Sequence, residues 1–283
     1  NFDENLDEFY DYEGYAQQRM NEENGMFTDL GYIAYKGYFS IEEVIDGSQG
    51  DSMEMVLARE TFLSRGHFAP FVEAVTGGVH DALDEAGVPE TARPVIAEIG
   101  AGTGYYLAHT LDDVDGARGV GMDISVHAAK RLASCHPRVG SVVADVWERL
   151  PMRDRSIDVI TVVFAPRNAA ELARVHTEGG QAILLTADPG HLAELREPLG
   201  ILDVEEGKID RLLEQAAGHL APVTEPELIE FPMTLDKESI AAQIGMSPSA
   251  RHIEPEELCS RIAQLPETLS VTGRAHLIRM GRA

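Results

Sequence analysis

From residue 95 onward, apolar residues gather into short runs, separated by stretches whose apolar positions recur every three to four residues. Runs at 95–99, 119–123, 141–144, 157–164 and 181–186 predict strands, each with Gly, Pro or Asp at or near one end. The 157–164 run is almost wholly apolar, as a strand covered on both faces should be. Segments 105–111, 125–133 and 169–176 have helical spacing and lie between the strands. Ser125 is placed to cap the second of these, His136-Pro137 closes it, and Gly179-Gly180 ends the third. A longer helical region follows at 192–220. The end of the chain changes character, with longer strands expected at 227–235 and 269–280 and helical pieces at 238–245 and 255–265 between them. Upstream, Met53, Val56, Leu57, Phe62 and Leu63 predict a helix capped by Asp51 or Ser52 and broken at Gly66, followed by a second over about 70–83. Residues 1–50 show little periodicity. Within them, 32–39 could form a short strand or hairpin arm, and 47–50 a loop.

Five strand–helix units followed by a strand pair predict a doubly wound α/β sheet of seven strands whose last strand runs antiparallel, with a small N-terminal appendage. Residues 1–50 are expected to be that appendage and 51–283 the main domain, with 51–90 a helical lead-in and 237–266 a helical insertion on the substrate side.

The stretch that gives this architecture a purpose is Val95-Ile96-Ala97-Glu98-Ile99-Gly100-Ala101-Gly102-Thr103-Gly104. A strand that stops at a Gly-rich turn leaves backbone N–H groups free and lets a ligand approach the main chain. Alone, such a motif is weak; its context is stronger. Asp123 ends the second apolar run, where a parallel α/β sheet holds the hydroxyls of a ribose. The spacing is Glu-x-Gly-x-Gly-x-Gly, not the G-x-G-x-x-G that seats a pyrophosphate on a helix N-terminus. With a reversed last strand, this is the layout of class I (Rossmann-like) S-adenosylmethionine-dependent methyltransferases, and nicotinamide-binding domains lack that strand. Ligands of such sheets bind beyond the C-terminal strand ends. The predicted cofactor residues are therefore Glu98, Gly100, Ala101, Gly102, Gly104, Asp123, Ile124, Asp145, Val146 and Phe164. Asp145 would take the adenine amino group, with an apolar neighbour on the ring face; the plain alternative for it is a helix cap.

Composition narrows the partners. The 283 residues carry a net charge of −25, and residues 1–60 alone hold fifteen acids against Arg19, Lys36 and Arg59, a net of −12. Polyanion binding draws on clustered Lys and Arg, and this segment would repel phosphates. No stretch resembles a membrane span or a secretory signal, so a cytoplasmic protein is expected. Cys135 and Cys259 follow no metal or redox spacing and read as two reduced, buried thiols.

Methyl transfer to nitrogen is an in-line displacement at a sulfonium, helped mainly by alignment and desolvation. Phe164-Ala165-Pro166-Arg167-Asn168 ends the fourth strand beside the expected methyl position, which makes Arg167 and Asn168 candidates for the acceptor side. The alternative is a strand-to-helix turn with Asn168 as its cap. A ring N–H acceptor also needs a proton acceptor, for which His67 and His252 are the candidates; a lone His is more often structural.

Several blocks resemble one family. Gly50-Asp51-Ser52-x-Glu54-Met55-x-x-Ala58-Arg59-x-x-Phe62-Leu63-x-x-Gly66-His67-Phe68-x-Pro70 is similar to the signature ahead of the catalytic domain in RlmA-type ribosomal RNA (guanine-N1)-methyltransferases. Asp145-Val146-Trp147, the 164–168 block, His191-Leu192-Ala193-Glu194-Leu195 and Met246-Ser247-Pro248-Ser249 are similar to the branch of tylosin and mycinamicin resistance enzymes. The resemblance covers about residues 50–283. It implies a class I fold, S-adenosylmethionine as methyl donor and often a homodimer. It departs at the N-terminus, where the family carries a basic zinc module with a C-x-x-C pair and a C-x-x-x-H. Here Tyr12-Glu13-Gly14-Tyr15 and Glu22 to Met26 stand in those places, and no Cys precedes Cys135. Tyr and Met thioether do not replace thiolate and imidazole on zinc, so no zinc is expected. Arg251 stands where an aromatic residue able to stack on a base is expected. These losses favour a methyltransferase acting on a small heterocyclic or antibiotic-like metabolite. A 23S ribosomal RNA guanine-N1 methyltransferase conferring antibiotic resistance is the alternative, with Arg153, Arg155, Arg167, Lys208 and Arg211 as a residual basic patch. A non-catalytic binding protein is the third reading.

Overall fold

A computed structural model describes residues 9–15, 26–28, 31–33, 50–89, 91–201, 207–247 and 253–283. Strands β1 (Met26–Thr28) and β2 (Gly31–Ile33) form a small antiparallel pair, with Met26 opposite Ile33. Residues 34–39 of the expected hairpin arm lie outside the described residues. Ahead of the pair, Phe9 and Tyr10 are buried against the main body, where Tyr10 bridges Met152. Tyr12 and Tyr15 set their rings against Tyr10.

Helix α1 (Met53–Leu63) starts at Ser52, whose hydroxyl accepts from Met55 N, and stops where Gly66 takes φ +73°. Helix α2 (Ala69–Glu85) begins with Pro70 in its first turn, where no N–H is needed. The sheet then opens with β3 (Val95–Ile99), all five residues buried. Helix α3 (Tyr105–Asp113), β4 (Arg118–Asp123), α4 (Val126–Leu132), β5 (Val139–Val143), β6 (Ile157–Val163), α5 (Ala169–Val175) and β7 (His176–Ala187) follow in alternation. β7 reaches back beyond the predicted 181–186 because the chain re-enters the sheet directly after α5, through a register shift beside Ile157.

The region expected to be helical, 192–220, is divided into separate pieces. A 3-10 turn (Ala193–Leu195) leads into the four-residue α6 (Arg196–Leu199), which ends at Gly200 with φ +64°. Helix α7 (Lys208–Ala216) resumes after 202–206, which lie outside the described residues. Pro198 and the left-handed Gly200 are the physical cause, since neither suits a helix interior. The chain ends with β8 (Leu220–Pro222), β9 (Glu227–Asp236), α8 (Lys237–Gly245), α9 (Pro255–Ala263) and β10 (Thr268–Arg282).

Strand order is β5-β4-β3-β6-β7-β10, with β8 and β9 both on the outer side of β10. The pairs among β3 to β7 are parallel, and β10 is antiparallel to every neighbour. The expected seven strands become eight because two strands share the outer position. Pro222 and Pro226 bracket the break, and the pairing register slips by two residues across it. The core forms two layers. Ile96, Val159 and Ile183 face α2 and α3, while Ala97, Ile99, Ile160 and Ala182 face α5 and α7. Of the two thiols, Cys135 is partly buried and Cys259 is exposed on α9, so the expectation of two buried thiols fails for Cys259. Among the described residues, no helix is long and apolar enough to cross a membrane.

Candidate active site

The C-terminal ends of β3, β4 and β6 meet at one place, and the glycine turn lies there. Gly100, Gly102 and Gly104 take φ of +67°, +55° and +81°, a region that side chains with a Cβ rarely enter. At Gly100 the demand is double, because an added Cβ would also overlap Ala165. Asp123 fastens the turn from the next strand. Its carboxylate accepts from Gly102 N at 2.8 Å and from Ser125 N at 2.8 Å. Burial raises its pKa, and those two N–H donors work against the rise. Each oxygen keeps a further lone pair. Asp123 borders a cavity of about 330 Å³ that also takes in Ile124, Asp145 and Val146.

A second cavity, of about 640 Å³, lies against the other flank of the turn, and Arg59, Gly100, Gly102 and Phe164 line both. Two of its side chains stand out by what they lack. Glu98, near the C-terminal end of β3, is 1% exposed, and its Oε2 has no hydrogen-bond partner among the described residues. Burial pushes its pKa up to about 8; the Leu107 N–H opposes this and the nearby Asp123 adds to it. Arg59, from α1, pairs with Asp51 at 2.5 Å and donates to Met246 O at 3.3 Å, yet its buried Nε also has no partner among the described residues. A buried acid and a buried guanidinium N–H left open beside one turn complement the ammonium and carboxylate of an amino acid. A nucleoside-sized hollow next door, with an acid at ribose position, completes the match to S-adenosylmethionine.

Phe164 stands where the two cavities meet and lines both. It takes φ +52°, is 39% exposed, and its ring approaches Phe71 at 5.5 Å and His191 at 5.6 Å. A bulky residue held at positive φ beside a glycine turn is strain concentrated where ligands bind.

Nine of the ten predicted cofactor residues line these two cavities: Glu98, Gly100, Ala101, Gly102, Asp123, Ile124, Asp145, Val146 and Phe164. Gly104 does not; it starts α3 and leaves room for Leu132 and Cys135. Asp145 lies in the smaller cavity while its Oδ1 accepts from Trp147 N at 2.9 Å. The catalytic candidates lie elsewhere. Asn168 caps α5 by accepting from Glu171 N, and with Arg167 it borders a separate hollow of about 360 Å³ beside His219. His67 borders neither cavity. Its Nε2 is 2.9 Å from the Ser239 hydroxyl, and burial, with Arg65 adding to it, lowers its pKa. Arg167, Asn168 and His67, expected on the acceptor side, thus line neither of the two cavities beside the glycine turn. His252 and Arg251 lie outside the described residues.

Sequence reasoning passed over Arg59 and His191, although both stand inside the compared blocks. Among the described residues, no group of three or more His, Cys, Asp or Glu could hold a metal.

The reversed β10, the glycine turn and Asp123 define a class I S-adenosylmethionine-dependent methyltransferase. A profile described as a methyltransferase domain matches residues 96–180. The chain is 39% identical to a 23S rRNA (guanine(748)-N(1))-methyltransferase of Streptomyces fradiae, over 88% of each chain. It is 36% identical to a putative 23S rRNA (guanine-N(1)-)-methyltransferase of Micromonospora griseorubida, over 87% of this chain and 86% of that one. A putative 23S rRNA (guanine-N(1)-)-methyltransferase of Bacillus subtilis is 29% identical over 61% of this chain and 63% of its own. The protein belongs to this RlmA-type family of 23S rRNA (guanine-N1)-methyltransferases.

When bound, S-adenosylmethionine supplies an electrophilic methyl group on a sulfonium. Asp123, Glu98 and Arg59 are the residues that would hold the donor and Phe164 the one that would wall the methyl position, and the chain would serve the transfer by keeping the acceptor aligned and dry.

Proposed function

We propose that this enzyme methylates N1 of a guanine in 23S ribosomal RNA. The observation that carries the reading is the likeness to the Streptomyces and Micromonospora enzymes, which extends over nearly nine-tenths of the chain. It reverses the preference for a small metabolite that the acidic charge suggested. The site supports it: the 640 Å³ cavity has Phe68 and Phe164 as aromatic walls and includes Arg196 and Lys208, two cations in a strongly acidic chain. Aromatic faces and cations suit a base and its phosphates.

One observation favours a second reading, a small heterocyclic acceptor. Residues 1–60 carry −12, and no Cys precedes Cys135 to build the family's zinc module. Labelled S-adenosylmethionine and unmethylated 23S rRNA at low salt separate the two. The expected result is label on a single guanine, with a reverse-transcription stop there because N1-methylation blocks base pairing. No label on RNA, together with label on a heterocyclic small molecule, supports the second reading instead.

A further inference from the structure

We propose that the Nε2–H of His191 recognises a carbonyl oxygen next to the methylated nitrogen, so that the acceptor subsite takes a lactam-type ring, –NH–C(=O)–. This rests on the guanine reading and adds to it a specificity-determining residue.

His191 sits in the turn after β7. Its own N–H donates to Asp188 O at 2.9 Å, and the next residue, Leu192, is held at φ +53° while its N–H donates to Thr272 O at 2.9 Å. The imidazole is fixed from one side by a backbone donor: Arg274 N donates to His191 Nδ1 at 3.0 Å. A peptide N–H can only donate, so Nδ1 must carry a lone pair, and the neutral ring places its hydrogen on Nε2. Arg274 is itself anchored, with Nε 2.7 Å from Asp188 and Nη1 2.6 Å from Glu230. The tautomer is therefore built into the strand β10 backbone.

The rest of the surroundings keep the ring neutral and leave one polar edge open. Phe164 stacks on it with planes 29° apart, and Phe68 and Phe71 lie 5.9 and 6.0 Å away. The charged groups facing it are Asp188, which also approaches His276, and Arg196, Lys208 and Arg274. Burial lowers its pKa to about 4, Arg196 and Lys208 push the same way, and the Arg274 N–H interaction and Asp188 oppose them. Nε2 has no hydrogen-bond partner among the described residues, and His191 lines the 640 Å³ cavity. Accepting a proton at Nδ1 would break the bond from Arg274, so the ring is a donor and not the general base.

The chemistry then follows. The ring nitrogen's electron pair forms the new N–CH₃ bond, the S–CH₃ electrons stay on sulfur, the sulfonium becomes a thioether, and the N–H proton leaves to water. Loss of that proton spreads negative charge onto the adjacent carbonyl oxygen, where a fixed N–H donor stabilises it. A ring with an amino group in that place would set donor against donor and be rejected.

Two measurements test this. In protein labelled with ¹⁵N-histidine, assigned by the signal lost in His191→Phe, His191 should be a neutral Nε2–H tautomer from pH 5.5 to 9. An imidazolium or an Nδ1–H tautomer in that range overturns the proposal. In rate assays on 23S rRNA, His191→Phe should lower methyl transfer about 100-fold, while His191→Gln, whose amide N–H reaches about as far, recovers at least tenfold. S-adenosylhomocysteine affinity should stay within about threefold of the intact enzyme in both variants, which shows that the fold survives. A Phe variant within threefold of the intact rate overturns the donor role, and so does loss in that variant of an acid limb near pH 6 that the intact enzyme shows. If the intact enzyme labels no rRNA at all, the substrate reading fails, and the tautomer measurement still decides the imidazole.

Discussion

The two flanks of the glycine turn, the smaller one proposed for the nucleoside and the larger for the acceptor, are made from different kinds of sequence. The first is local: β3 runs into the glycine turn, β4 ends in Asp123, and Ser125 caps α4 two residues on. Its polar groups hold one another through backbone N–H bonds, as Asp123 does with Gly102 and Ser125. The second is assembled from afar, with Arg59 on α1, Phe68 before α2, Phe164 after β6, and His191 after β7. Where the two halves meet, Glu98 Oε2 and Arg59 Nε have no hydrogen-bond partner among the described residues. A half that is braced by its own backbone is rigid before any ligand arrives. A half whose polar atoms lack partners gains most when a ligand supplies them.

That contrast can be broken most severely at Gly100. Ala there would face both the φ of +67° and the overlap with Ala165. We expect a stability loss on the order of 3 kcal/mol and cofactor affinity reduced at least 100-fold. Retention of tight binding would show that the turn is not the cofactor's seat.

Glu98 sharpens the contrast from the open side. Because its folded pKa is raised to about 8, Glu98 holds its proton between pH 4.5 and 8 while the unfolded chain releases it. Stability of the ligand-free protein should therefore be greatest below pH 4.5 on this account, and should fall by about 1.4 kcal/mol per pH unit up to about 8. Denaturant melts of Glu98→Gln should lose that slope. Binding an ammonium beside Glu98 favours the carboxylate, so S-adenosylhomocysteine binding at pH 7 should release close to one proton, read by calorimetry in buffers of different ionisation enthalpy. Glu98→Gln should abolish the release and weaken binding about tenfold.

The smallest effect is expected at Asn168. As a cap on α5 it contributes about 1 kcal/mol, so Asn168→Ala should melt slightly earlier with cofactor affinity unchanged and methyl-transfer rate within about twofold. A rate loss of 100-fold with unchanged stability would return Asn168 to the chemistry.

The same division explains what the chain made legible. The 95–99 run is β3 residue for residue, and Asp123, Asp145 and Phe164 all come to the cavities, because a strand end and its turn are contiguous in sequence. The 227–235 and 269–280 runs extend to β9 and β10, but their joint edge with β8 depends on a register that local pattern does not encode. Apolar spacing predicts helical structure across 192–220, but it does not mark the interruption that Pro198 and Gly200 impose. Arg59 and His191 could not be recognised from spacing, because their roles come from elements distant in the chain. Asn168 and His67 are hydrogen-bonded away from the two cavities, Asn168 to the helix it caps and His67 to Ser239, far along the chain, a pairing that local pattern does not encode.

The account stands or falls on the carboxylate at the end of β4. Titration calorimetry of S-adenosylhomocysteine into the intact protein and into Asp123→Ala tests it directly. The intact protein should bind one equivalent without RNA, and the variant, deprived of the ribose contacts and of the brace on Gly102, should bind about 100-fold more weakly. Equal affinity in the two proteins would contradict the placement of the nucleoside.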